Sequence, residues 1–274
     1  MADGPEDDDE LELHELDPAL RDKPGRGAPL GTLRRRGIYL LPNLFTTGVL
    51  FSGFFAIVQA MNGRFEIAAI AIFVAMLLDG MDGRVARWTN TQSEFGAQYD
   101  SIADMVAFGA APALIAYTWA LKDLGTAGWI GAFIYCGGAG IRLARFNANI
   151  SVVDKRYFQG LPSPSGAAVM TGLVWVFADF GIAPREYVWL PGVAWAVAVF
   201  AGFTMVSNVP FWSFKEVNWK KRVPLWMILA SVIGISVIAS RPSLVLFALF
   251  LSYAFSGYVM WAMGHRMRPV LPEE

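Results

Sequence analysis

Polar and apolar residues along this chain are sorted into long blocks, with no sustained two-residue alternation. Eight apolar blocks lie near residues 38–61, 66–86, 97–120, 127–148, 165–183, 188–207, 224–240 and 243–263. Each approaches the roughly 20 residues that an α-helix needs to cross a hydrocarbon core. The pattern therefore predicts an all-α polytopic membrane protein with about eight transmembrane helices. Charged residues shorten the facing ends of the second and third blocks, and the connections are short. Residues 1–37 hold no apolar run. They are acidic at Asp7, Asp8, Asp9 and Glu10 and basic at Arg34, Arg35 and Arg36. They read as a largely disordered cytoplasmic tail ending in a basic cluster at the membrane surface, not as a signal peptide. Residues 38–215 form the main transmembrane body, and 216–274 add two helices and a short cytoplasmic C-terminus.

Composition agrees with the pattern. The 274 residues are 55% hydrophobic and 16% charged, with a mean hydropathy of +0.43, which excludes an ordinary soluble domain. The partner is a lipid bilayer. A net charge of −1 gives no reason to expect nucleic acid. The single cysteine, Cys136, lies inside an apolar block and reads as a small buried helix residue. With the N-terminus in the cytoplasm and eight alternating spans, only Arg64, Lys122, Arg185 and Arg241 fall on the far side. All other Lys and Arg residues then face the cytoplasm, as the positive-inside rule requires. The expected location is the inner, cytoplasmic membrane, with both termini cytoplasmic.

One segment departs from the apolar pattern in a way that carries chemistry. Residues 79–104 read DGMDGRVARWTNTQSEFGAQYDSIAD. Acids at or near membrane depth are costly and by default functional. Asp79 and Asp82 are three apart on one face of the second predicted helix, and Asp100 and Asp104 are four apart on one face of the third. The short turn between them, with Thr89, Asn90 and Ser93, makes the helices antiparallel neighbours, so all four carboxylates converge. They require a counter-charge, and carboxylate oxygens suit hard cations: Mg²⁺, Mn²⁺ or Ca²⁺. Two such ions form the usual clamp for a phosphoryl-type displacement. Gly80, Gly83 and Gly96 leave room for a diphosphate, and Arg87 is placed to meet a phosphate oxygen. Two other readings use the same acids: solvated helix caps and the ion pathway of a transporter. Their gathering in one hairpin at one membrane face disfavours transport.

The pattern Asp79-x2-Asp82-Gly83-x2-Ala86-Arg87-x8-Gly96-x3-Asp100-x3-Asp104 resembles the signature of the CDP-alcohol phosphotransferase family. The resemblance implies a six-helix core, a homodimer and a polar cavity open to the cytoplasm. It implies metal ligation by Asp79, Asp82, Asp100 and Asp104, with Asp104 also acting as general base. Gly83, Arg87, Ser93 and Gly96 match positions at the CDP-lipid. Pro42-Asn43-Leu-Phe-Thr46 is similar to the family's PNxxT segment, which brings Asn43 and Thr46 to the nucleotide.

Three later stretches bear on the acceptor alcohol: GIRLARFNANI at 140–150, YFQGLPSPS at 157–165 and MVSNVPFWSFK at 205–215. Together they resemble the phosphatidylserine synthase branch. The implied substrates are CDP-diacylglycerol and L-serine, and the implied products are phosphatidylserine and CMP. A serine carboxylate calls for a cationic site apart from the diphosphate, for which Arg142 and Arg145 are candidates. Asn147, Pro162 and Ser163 complete the expected serine site. Choline remains open through an aromatic cage of Trp88, Tyr99 and Tyr157. Glycerol phosphate or inositol phosphate remains open through Arg142, Arg145 and Lys155.

Overall fold

The structure is a computed structural model that describes residues 30–89, 93–148, 157–213 and 225–264, with side chains described from Asn43 onward except at 86, 87, 89, 157, 225 and 228. The predicted tail over its first 29 residues, Asn90, Lys155, Arg156 and the C-terminal end lie outside the described residues. The chain divides into two units, Met1–Ile38 and Tyr39–Glu274, and the packing and the site described below belong to the second.

Every predicted block is helical. The helices are α1 (Leu30–Met61), α2 (Phe65–Thr89), α3 (Glu94–Asp104), α4 (Ala111–Trp119), α5 (Thr126–Ala148), α6 (Ser163–Asp179), α7 (Leu190–Val206), α8 (Leu225–Ser240) and α9 (Pro242–Ala262). A π-helical turn, Met105–Ala110, joins α3 to α4, so the third predicted span is one rod broken by a wider turn. α1 starts ahead of the predicted boundary at 38 and takes in Arg34–Arg36. Among the described residues, Asn43–Met61, Glu94–Trp119 and Pro242–Ala262 are long and apolar enough to cross a membrane. α7 and part of α8 are apolar but shorter. α2 is long enough, but its composition is diluted by Glu66, Asp79, Asp82 and Arg84.

Helix packing relies on small residues, as expected where lipid supplies no hydrophobic drive between helices. α5 and α7 touch through Gly138 and Gly202. A Cβ on Gly138 would lie 2.6 Å from the Gly202 carbonyl oxygen, and one on Gly202 would lie 2.7 Å from that of Ile134. α6 is the central helix, buried from Ser165 through Trp175. α9 closes one side of it. Phe247 packs where a Gly172 side chain would be, and the Phe211 ring sits 2.5 Å from a Cβ built on Gly257. Thr204 and Tyr258 hydroxyls meet at 2.7 Å.

The all-helical expectation misses one feature. β1 (Tyr157–Gln159) and β2 (Pro210–Trp212) pair antiparallel, with Phe158 opposite Phe211. Three residues per strand leave no periodic trace in the sequence. The ribbon exists because chain segments some fifty positions apart are brought together by α6 and α7.

Candidate active site

Three helices supply the acids and their first partner. α2 continues to Thr89, so Asp79 and Asp82 lie inside the helix, on one face. Ser93 caps α3 by accepting the Gly96 N–H at 3.0 Å, which starts the helix where Asp100 and Asp104 project toward α2. Carboxylate oxygens of Asp79, Asp82 and Asp100 all lie within 4.8 Å of one another. Thr46 of α1 donates to Asp82 Oδ2 at 3.3 Å, and Asp82 is buried. The Gly83 N–H bonds the other Asp82 oxygen.

Asp104 stands beside this trio, within electrostatic reach of all three. Its Oδ1 is buried and has no hydrogen-bond partner. Leaving a carboxylate oxygen buried and unmatched is costly, and among the described residues none of the four acids is ion-paired. An all-oxygen donor set with an orphaned buried oxygen beside it fits a hard divalent cation. Beside the acids, a Cβ on Gly80 or Gly83 would meet nothing within 4 Å. Gly96 is different: its absent side chain leaves room for Ser93 Oγ and, at 3.5 Å, Asn43 Oδ1. Asn43 and Thr46 thus both come to the acid hairpin from α1. The side chain of Arg87 lies outside the described residues.

Arg142, Ser163 and Asn147, predicted apart from the acids, lie beside the acid hairpin. Arg142 of α5 is buried and donates to Ser163 Oγ at 2.6 Å. It lies within electrostatic reach of Asp104 and Asp79 and over the Phe146 ring at 5.7 Å. Asn147 donates to Ser101 Oγ at 2.9 Å, tying α5 to the acid helix one residue after Asp100. Pro162 is the residue preceding α6, and Ser163, fully buried, is its first.

Arg145 does not face the acids. Its Nη1 donates to the Val206 carbonyl at 2.8 Å and to Asn208 Oδ1 at 3.1 Å. Its Nη2 donates to the carbonyls of Gln159, Ser207 and Met205 at 2.9, 3.2 and 3.3 Å. The guanidinium fork stitches the end of α7 to the ribbon. Gly160, at φ +75°, is held in the same knot: a Cβ there would sit 2.3 Å from the Met205 carbonyl oxygen. The three stretches that suggested a serine acceptor are therefore one structural unit, joined to the acids through Arg142.

Sequence reasoning missed Tyr253 of α9. Its hydroxyl donates to the Trp212 carbonyl at 3.1 Å, its ring packs on Phe211 at 5.5 Å, and it lies within electrostatic reach of Arg142. A tyrosine in an apolar helix looks like an interfacial belt residue, and nothing local marks it otherwise. Of the three residues of the aromatic cage, the Tyr157 side chain lies outside the described residues. Trp88 is 84% exposed, and the Tyr99 hydroxyl pairs with Thr47 at 3.0 Å.

Comparison with known proteins matches residues 39–207 to the family described as CDP-alcohol phosphatidyltransferase. The chain is similar to the CDP-diacylglycerol–serine O-phosphatidyltransferase of Helicobacter pylori, 35% identical over 228 residues that cover 82% of this chain and 92% of the relative. It is similar to the protein of that name from Mycobacterium tuberculosis, 32% identical with 83% and 79% covered. The Saccharomyces cerevisiae protein of that name is 37% identical over a shorter stretch, 46% of this chain and 50% of the relative. The family match ends before α8 and α9, so those helices lie outside it. With the acid hairpin, its α1 partner and the adjoining arginine all inside the matched span, the chain belongs to the CDP-alcohol phosphatidyltransferase family.

Proposed function

We propose that this membrane protein transfers the phosphatidyl group of CDP-diacylglycerol to L-serine, giving phosphatidylserine and CMP. The observation that carries this reading is the meeting of two unlike subsites: a carboxylate trio within 4.8 Å and, beside it, the buried Arg142. The names and extent of the relatives support serine as the acceptor.

Asp79, Asp82 and Asp100, with Asp104 beside them, would hold the divalent metal as two ions, Mg²⁺ or Mn²⁺, with Ca²⁺ as a third candidate. Bound there, the metal supplies positive charge for the diphosphate and for the departing CMP. Thr46 fixes the Asp82 carboxylate. Gly80 and Gly83 keep space open for the diphosphate, and Asn43, Arg87, Ser93 and Gly96 frame the CDP-lipid. Arg142 binds the serine carboxylate, with Arg145, Asn147, Pro162 and Ser163 as the frame of that subsite. Asp104 takes the proton of the serine hydroxyl. The serine oxygen then bonds the phosphorus that carries diacylglycerol. The phosphoanhydride bond breaks, and CMP leaves with the electron pair.

Residues 38–215 are the catalytic body in this reading, in a homodimer whose active site faces the cytoplasm from the inner membrane, with both termini on that side. The decisive test offers purified protein CDP-diacylglycerol and a panel of alcohols, with and without Mg²⁺ or Mn²⁺. CMP release that needs both serine and metal is the expected result. Release driven equally by glycerol phosphate, inositol phosphate or choline would overturn the serine assignment.

A further inference from the structure

The turn that follows Asp104 has a cause that can be read residue by residue. In an α-helix the Phe108 carbonyl would accept the amide of residue 112, four positions on. That residue is Pro112, which has no N–H and whose ring collides with the carbonyl four residues earlier. The chain answers with the wider π turn over Met105–Ala110, in which the Ala111 N–H reaches back five residues to the Val106 carbonyl. The Phe108 carbonyl takes its donor from another helix: the Tyr135 hydroxyl of α5 donates to it at 2.9 Å, and both residues are fully buried. On the other side α1 fixes the turn, since a Cβ on Gly53 would lie 2.6 Å from Ala107 Cα. The turn is therefore held from α1, α4 and α5 at once. π turns of this kind concentrate at functional sites, and this one begins at the residue after Asp104.

We propose that Tyr135 is a positioning residue for the acid hairpin: by satisfying the Phe108 carbonyl it stabilises the π turn, which sets the rotation of Asp100 and Asp104 about their helix axis relative to α4. An α turn in its place would rotate that axis by about one residue, roughly 100°, and swing Asp104 away from Asp79 and Arg142. The inference rests on the reading of Asp104 as the group that takes the serine proton.

The test uses the full-length protein in detergent with three variants: Tyr135→Phe, Pro112→Ala and the double. Two quantities are read: steady-state CMP release with serine, and the thermal unfolding midpoint of the metal-free protein. Tyr135→Phe lowers the midpoint, because the buried carbonyl loses its donor. It also lowers kcat by about 10²-fold with both KM values nearly unchanged, the signature of a misplaced reacting group. Pro112→Ala returns an N–H to position 112. In the double variant the midpoint recovers while kcat stays low. Recovery of both midpoint and kcat in the double variant overturns the proposal, because Tyr135 then only contributes stability. Unchanged kcat in Tyr135→Phe overturns it as well. A slow Tyr135→Phe beside a fully active Asp104→Asn keeps the positioning role through Asp100, on the helix that the turn orients, and removes the base assignment alone.

Discussion

At the scale of single residues, the proposed reaction divides its chemistry between Asp104 and Arg142. Asp104 has a buried oxygen without a partner, and replacing it by Asn removes the proton acceptor while keeping the shape. The expected loss in kcat is about 10²–10⁴-fold, the usual value of a positioned base, measured as serine-dependent CMP release. Retention of wild-type rate would remove the base role. Arg142→Ala should raise the KM for serine well above any change in that for CDP-diacylglycerol, and equal changes would count against a carboxylate contact. Arg145 is expected to behave differently. Its Nη atoms hold the backbone carbonyls of residues 159 and 205–207, and each buried carbonyl left without a donor costs about 1–3 kcal/mol. Arg145→Ala should therefore lower the thermal midpoint, and a change in serine KM with an unchanged midpoint would contradict that. The two arginines looked alike in the sequence because both lie near one helix end. What separates them is which carbonyls and carboxylates lie opposite, and those come from positions up to some sixty residues away.

At the scale of elements, the pairing of β1 with β2 and its backing by α9 matter most. Phe211 fills the groove that Gly257 leaves, and Tyr253 holds the Trp212 carbonyl. The ribbon in turn leads through Gly160 into Ser163, the partner of Arg142. Gly257→Val places its branched side chain inside the Phe211 ring, so it should shift the ribbon and raise the serine KM more than that for the lipid substrate. Equal effects would place α9 outside the acceptor site. The helices themselves were legible: each apolar block became a helix, because local composition alone decides whether a segment prefers lipid to water. The ribbon was not legible, because its pairing depends on register between distant segments. The π turn was half legible, since Pro112 announces a disturbed helix but not which hydroxyl repairs it.

At the scale of the molecule, the acids form a metal-fitting cluster at one end of a helical bundle embedded in the bilayer. Chelation of divalent metal should abolish activity, and Mg²⁺ or Mn²⁺ should restore it. Since a ligand bound at a hundred times its Kd stabilises by about 2.7 kcal/mol, the metal should also raise the unfolding midpoint, and an Asp82→Asn variant should lose that rise. The sequence by itself determined the membrane class, the helical blocks and the four aspartates, because hydropathy and the cost of charge in lipid act locally along the chain. Only the tertiary structure decided that Asp104 keeps a buried, unpartnered oxygen beside the trio, that Arg142 lies within reach of the acids while Arg145 clamps a loop, and that α9 backs the ribbon. Those outcomes depend on which distant backbone groups and side chains are brought face to face, and no local pattern encodes that choice.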